Sequence, residues 1–376
     1  MRATRAIIHL DAFRHNLHLV RSRIGSPRRI CVPVKADGYG HGAVPLAKLS
    51  LEEGAEFLAV ATAAEGVLLR EAGITAPILL LSIPLPEEIP EIIRDSLIPL
   101  VGDRDCILEF AVAAERGKEP LRVHLKVDTG MGRVGCPPES APELAALIAR
   151  SRSLKLGGTA THLAVSDSSD RGSIDYTKKQ LERFSRAVEG IRKSGIDPGI
   201  VHAANTGALA FHEDAWFDMV RPGILLYGYA PLGAEAVLPV KPVMELVSQI
   251  VFIKQLKKGE SVSYGRTWIA DRDTVIATIP VGYGDGLPRR LSGDFSVRIN
   301  GAWYPLAGRI CMDQCMIDLG PNTAVRRWDT ASLFGGDAFS AADVAAKLGT
   351  ISYEITCGIN KRVPRIYVDR ASAYKL

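Results

Sequence analysis

Arg29-Ile30-Cys31-Val32-Pro33-Val34-Lys35 is an apolar run of strand length that ends on a lysine. Nothing polar alternates within it, so it reads as a strand covered on both faces, as in a parallel sheet. Seven further runs follow: Glu56–Thr62, Ala76–Ser82, Ser96–Val101, Leu121–Asp128, Leu154–His162, Pro198–Asn205 and Phe217–Arg221. Helical patterns lie between them. In Tyr176–Ser194, Leu181, Phe184, Val188 and Ile191 recur at helical spacing before a stop at Gly195. Pro142–Arg150 opens on proline and acid. Eight strand-then-helix units in roughly 200 residues predict an α/β fold, a closed (β/α)8 TIM-type barrel. A doubly wound open sheet is the alternative, disfavoured because no GxGxxG follows the first strand. Barrel chemistry sits where strands end, and these ends carry Lys35, Asp128, His162, Asn205 and Arg221.

After about Pro231 the pattern changes. Val247–Leu256, Thr274–Val281, Phe295–Ile299, Cys315–Leu319, Ala331–Phe334 and Arg362–Val368 read as strands between Gly, Asp and Asn turns, with one helix over Ala341–Leu348. The expected organisation is a barrel over 1–232 and a mostly β domain over 233–376. Ala6–Leu10 is strand-like, and residues 1–12 could pair with the second domain.

The 376 residues are 47% hydrophobic and 23% charged, which fits a globular chain with large cores. A net charge of +4, with cations and anions interspersed, argues against nucleic acid as a partner. Neither a signal peptide nor a membrane-spanning run is expected. The six cysteines form no CxxC pair, so no metal site is indicated, and they read as reduced thiols of a cytoplasmic protein.

Lys35 leads into Ala36-Asp37-Gly38-Tyr39-Gly40-His41-Gly42. An ammonium at the end of a buried strand is costly unless it is paired or its pKa falls, and a lysine of lowered pKa is what Schiff-base chemistry needs. Taken alone, a snorkelling lysine is the commoner reading. The glycines let backbone approach a ligand, and Tyr39 offers a hydroxyl.

This segment resembles the cofactor-lysine motif of alanine racemases, and the resemblance recurs in order along essentially the whole chain. The further blocks are Leu125-Lys126-Val127-Asp128-Thr129-Gly130-Met131-Gly132-Arg133-Val134-Gly135, Thr161-His162, Asn205-Thr206 and Asp218-Met219-Val220-Arg221-Pro222-Gly223-Ile224. Ser263-Tyr264-Gly265-Arg266, Gly282-Tyr283-Gly284-Asp285-Gly286 and Gly308-Arg309-Ile310-Cys311-Met312-Asp313-Gln314 complete the set.

The resemblance implies racemisation of alanine with pyridoxal 5′-phosphate as a Schiff base on Lys35. Lys35 would carry a proton on one face of the substrate and Tyr264 on the other. Arg221 would face the pyridine nitrogen, with His162 behind Tyr264 and Arg221. The Gly223 and Ile224 N–H groups and the Thr206 and Tyr39 hydroxyls would hold the phosphate, with Tyr353 beside it, and Asn205 and His162 would also be cofactor-binding. Arg133 would hydrogen-bond the phenolic oxygen and help place the substrate carboxylate, which the Met312 N–H would bind. Lys126 aligns with a lysine carbamylated in some members, and Tyr283, Cys311 and Asp313 would support the site. Tyr264 and Met312 would come from the partner in a homodimer, and the D-alanine would serve the bacterial cell wall.

Two positions depart from the family pattern: Asp37 stands where asparagine is usual, and Gly284 where alanine is usual. The competing readings are a racemase of another small amino acid such as serine, a pyridoxal-phosphate decarboxylase of basic amino acids with the same architecture, and a non-catalytic carrier of the cofactor. The Ser263-Tyr264-Gly265 and Cys311-Met312-Asp313 blocks argue against the decarboxylase.

Overall fold

The computed structural model describes residues 2–369; Met1 and residues 370–376 of the expected second domain lie outside the described residues. After a first strand β1 (Arg5–His9), eight short strands alternate with helices. They are β2 (Arg29–Pro33), β3 (Phe57–Val60), β4 (Ile78–Leu80), β5 (Leu100–Val101), β6 (Leu121–Lys126), β7 (Leu154–Ala160), β8 (Ile200–His202) and β9 (Met219–Val220). The ladders among them are parallel, in the runs β4-β3-β2-β9 and β5-β6-β7-β8. Backbone bonds join the two runs into a ring. Leu80 N–H donates to Ile98 O on one side, and Arg221 N–H donates to Ala204 O on the other. Cys31, Phe57, Ala59, Leu79, Leu100, Ala160 and Met219, from six of these strands, pack together in the buried core. This is the expected (β/α)8 barrel.

Each strand is shorter than its apolar run. β2 stops at Pro33, which has no N–H to continue the ladder, so Lys35 lies past the strand rather than at its last position. The helix expected over Tyr176–Ser194 begins earlier and runs Arg171–Lys193, because Asp170 caps it by accepting the Ser173 N–H.

The second unit gathers the N-terminal stretch to Phe13, Tyr39–Gly42 and the chain from Lys241 onward. Its strands are β10 (Met244–Gln249), β11 (Phe252–Leu256), β12 (Ser261–Val262), β13 (Trp268–Ile269), β14 (Thr274–Ile279), β15 (Ser296–Ile299), β16 (Ala302–Ala307), β17 (Cys315–Asp318), β18 (Thr330–Phe334) and β19 (Arg365–Val368). Nine strands form one sheet in the order β11-β14-β17-β16-β15-β18-β10-β1-β19. β1 lies antiparallel to β10 and parallel to β19. The run read as one strand over Val247–Leu256 is two, parted where Ile250 N–H turns to Asp329 O and Val251 N–H to Thr278 O. The expected helix Ala341–Leu348 is present, closed by Ser340 and Gly349. Among the described residues, no helix is long and apolar enough to cross a membrane.

Candidate active site

In the barrel unit the candidate residues collect at the C-terminal ends of the strands. β2 and β9 are parallel neighbours, so the segments bearing Lys35 and Arg221 leave the ring side by side. Lys35 opens a turn of opposite hand: Ala36, Asp37, Gly38 and Tyr39 all have φ between 51° and 61°. The three that are not glycine each cost about 1 kcal/mol or more there, because Cβ crowds the following carbonyl. Asp37 Oδ1 accepts the Ala43 N–H at 2.9 Å, opening the helix Ala43–Glu52. An asparagine carbonyl would accept the same bond, which accounts for the Asp37 departure.

Arg221 is buried, and its guanidinium donates to three neutral acceptors. These are His202 Nδ1 at 2.6 Å, Thr161 O at 2.8 Å and Ala203 O at 2.9 Å. Burial lowers its pKa to about 10, which still leaves it protonated at neutral pH. His162, the histidine singled out in the sequence, stands farther off, with Nδ1 at 3.5 Å. His202 is therefore the closer histidine neighbour of Arg221, and sequence reasoning missed it. Its only signal was a histidine inside an apolar buried run. Since arginine only donates, His202 Nδ1 accepts and Nε2 carries the proton, which it gives to His124 Nδ1 at 2.9 Å. Burial, reinforced by Arg221, pushes the His162 pKa down to about 2 and His202 well below its usual value. Both are thereby held in the neutral form near pH 7.

Lys126 is buried on β6, and its ammonium donates to Val127 O at 3.3 Å. Burial first, then the Arg221 charge, pushes its pKa down to about 7; Arg133 adds to the fall and Asp128 opposes it. The following loop is folded by Asp128 Oδ1, which accepts N–H groups from Gly130 and Gly132. This loop leaves Arg133 exposed. Asn205 spends its side chain internally: Oδ1 takes the Ala208 N–H and the Ser166 hydroxyl, and Nδ2 donates to Leu163 O. It therefore acts as a helix cap that places Thr206. Thr206 Oγ1 accepts the Gly223 N–H at 2.9 Å, which leaves the Thr206 O–H to donate elsewhere. Ile224 follows in a single turn, Ile224–Tyr227.

In the sheet unit, three loops are zipped into one surface. Tyr283 N–H donates to Cys311 O and Gly284 N–H to Met312 O. Ser263 Oγ donates to Arg309 O at 2.6 Å and lies 3.5 Å from Cys311 Sγ. The surface presents Tyr264, Met312 and Tyr283, exposed by 70%, 53% and 43%. Behind it Arg362 joins Asp285 at 2.8 Å to Asp313 at 2.8 Å, and Asp285 also binds Arg2. A Cβ on Gly284 would stand 2.6 Å from Arg362 Nη2, so the glycine makes room for this arginine. Tyr39 and Tyr353 meet in the same unit, ring centroids 5.8 Å apart. Gly40 is required beside them, since a Cβ there would lie 2.1 Å from Thr356 O.

Known proteins share this arrangement. Residues 8–231 match the family model described as alanine racemase, N-terminal domain, and residues 243–367 match alanine racemase, C-terminal domain. The chain is 50% identical to alanine racemase of Treponema denticola over 98% of this chain and 99% of that one. It is 45% identical to that of Treponema pallidum, covering 98% and 100%. Among solved structures, an alanine racemase of Clostridium difficile superposes with a TM-score of 0.94 at 36% identity, covering 98% and 97%. An alanine racemase of Bacillus anthracis with bound L-Ala-P gives 0.91 at 36% identity, covering 98% and 96%. With both family models placed in order and near-complete coverage of its relatives, the chain belongs to the alanine racemase family of isomerases.

Proposed function

We propose that this chain interconverts L- and D-alanine with pyridoxal 5′-phosphate held through the Lys35 amine. The observation that carries this is Arg221, a buried cation whose close acceptors are all neutral, just past β9, the strand that pairs with the one leading to Lys35. Such a group suits a further acceptor that is basic yet uncharged, and a pyridine nitrogen has that character. In the barrel unit a Thr206 O–H set by the Gly223 N–H, with Ile224 beside it, suits the phosphate. The residues present fit the group.

Pyridoxal phosphate, when bound, supplies the electron-withdrawing ring that weakens the substrate's Cα–H bond. Arg221 keeps its own proton, so it leaves the ring nitrogen unprotonated and moderates that withdrawal, which disfavours transamination. Lys35 Nζ moves the proton on one face of Cα and Tyr264 Oη on the other, since racemisation must break the bond on one side and form it on the opposite side. Arg133 and the Met312 N–H hold the substrate carboxylate. Tyr283, Cys311 and Asp313 support Met312. Lys126, with its amine close to neutrality, is the group open to carbamylation, which would turn a like-charge encounter with Arg133 into an attraction.

The exposed surface of Tyr264 and Met312 supports a homodimer in which each subunit completes the other's site. The setting we propose is the cytoplasm, with D-alanine supplied for the cell wall, and with a barrel domain over 1–232 whose residues 1–12 pair through β1 with the β domain over 233–376.

Chiral analysis of the product from L-alanine in deuterated solvent tests the activity, with labelled D-alanine expected. Lys35→Ala should lose the visible absorbance of the holoenzyme; a chromophore kept on another lysine overturns the assignment. Tyr264→Phe should slow proton removal from L-alanine by about 10²–10⁴-fold. Exchange of the D-alanine α-proton slowed as much as that of L-alanine would sink the two-face scheme.

A further inference from the structure

We infer that Glu65 is a positioning residue for Lys35, acting through the peptide that follows the lysine. This rests on the reading that the Lys35 amine holds the cofactor.

The left-handed turn after Lys35 is not one its own residues favour, since Ala36, Asp37 and Tyr39 all carry a Cβ. Something outside the turn must hold its peptides. Gly38 N–H closes onto Val34 O at 2.7 Å, and Asp37 is tied to Ala43. The peptide joining Lys35 to Ala36 is held from the first turn of the helix that follows β3: its N–H donates to Glu65 Oε1 at 2.7 Å. The second oxygen of the same carboxylate, Oε2, takes the Ala61 N–H at 2.7 Å and the Thr62 N–H at 3.3 Å. Glu65 N–H in turn donates to Thr62 Oγ1.

An ordinary capping box explains only the two Thr62 bonds, which open the helix Ala63–Glu71. The bonds to Ala61 and Ala36 go beyond it. Through them one carboxylate ties the loop after β3 to the turn after β2. Bonds to an ionised acceptor are the strong kind, about twice a neutral pair. The Ala36 N–H lies one peptide from the Lys35 Cα, so turning that peptide re-aims the lysine side chain. Glutamine cannot replace this carboxylate. It has the same shape but only one acceptor oxygen, and its NH2 would face an N–H donor on the other side.

The test compares holoenzymes of wild type, Glu65→Gln, Thr62→Ala and Lys35→Ala. Two quantities are read: the rate at which hydroxylamine strips the visible chromophore, and the thermal midpoint. Thr62→Ala removes the helix cap but leaves the Ala36 bond, so it should lower the midpoint and leave stripping within about twofold of wild type. Glu65→Gln should speed stripping by about tenfold or more, the loss of a charge-assisted bond. Stripping of Glu65→Gln at the wild-type rate, or equal acceleration in Thr62→Ala, overturns the positioning role while a colourless Lys35→Ala upholds the cofactor reading beneath it. A chromophore that survives Lys35→Ala overturns both.

Discussion

Arg221 in the barrel unit and Asp285 in the sheet unit are both buried, yet their surroundings differ. Arg221 has neutral ring nitrogens and carbonyls for partners, and Lys126 on the same rim donates to a carbonyl. Asp285 is bridged by two arginines, one of which continues to Asp313. Removing a charge from water is costly unless an opposite charge or good hydrogen bonds offset it. The sheet unit meets that demand within its own chain, so its ions serve as scaffold. On the barrel rim Arg221 and Lys126 donate to neutral acceptors in these contacts, with Asp128 only partly offsetting the charge of Lys126. A region that carries such a penalty in the folded chain is suited to receive an anionic or basic ligand.

The comparison can be broken most forcefully at Asp285. Asp285→Ala should cost about 3 kcal/mol, because two guanidinium groups lose their partner and the Gly282 N–H loses its acceptor. Denaturant unfolding reads this directly, and a loss under about 1 kcal/mol would show the network to be ornamental.

The opposite sign is expected at Lys126. Its pKa is about 7 folded against 10.5 in the unfolded chain, so the unfolded state binds the extra proton between those values. Wild-type stability therefore rises with pH across that window, and the penalty is fully present below about pH 7. Lys126→Met should stabilise the protein by about 2–3 kcal/mol below that pH, with the gain fading toward pH 10.5. Unfolding at several pH values checks it; a gain that does not vary with pH refutes the account.

Gly284→Ala should have the smallest effect. The methyl displaces Arg362 and loosens the Met312 loop, raising KM for alanine by about tenfold with kcat less affected, near 1.4 kcal/mol. Unchanged kinetics in both parameters would detach the arginine network from the substrate.

The barrel was legible because its strands are buried on both faces and read as unbroken apolar runs. Lys35 and Arg221 stood out for the same reason, as charges at the ends of such runs. The sheet unit was harder. β16 contains Pro305, which argues against a strand, yet Pro305 sits in register opposite Ser296. β10 and β11 share one apolar run, and only their separate partners, β18 and β14, divide it. His202 and Glu65 were invisible for a different reason. Each acts through a partner distant in sequence whose position depends on backbone geometry.

The pairing of β1 with both β10 and β19 has a consequence for the order of folding. Ala6 lies beside Arg365 in that ladder. Synthesis runs from the N-terminus and domains fold as units along the way. The barrel strands are all made before the sheet has most of its members, so they can close early. Among the described strands β1 leaves the ribosome before the others, and its neighbour β19 is made after them. Its ladder with β19 closes a loop from Ala6 to Arg365, and loop-closure entropy delays such contacts. Completion of this sheet thus waits for Arg365–Val368 to be made, and disrupting either β1 or β19 would strike the same ladder.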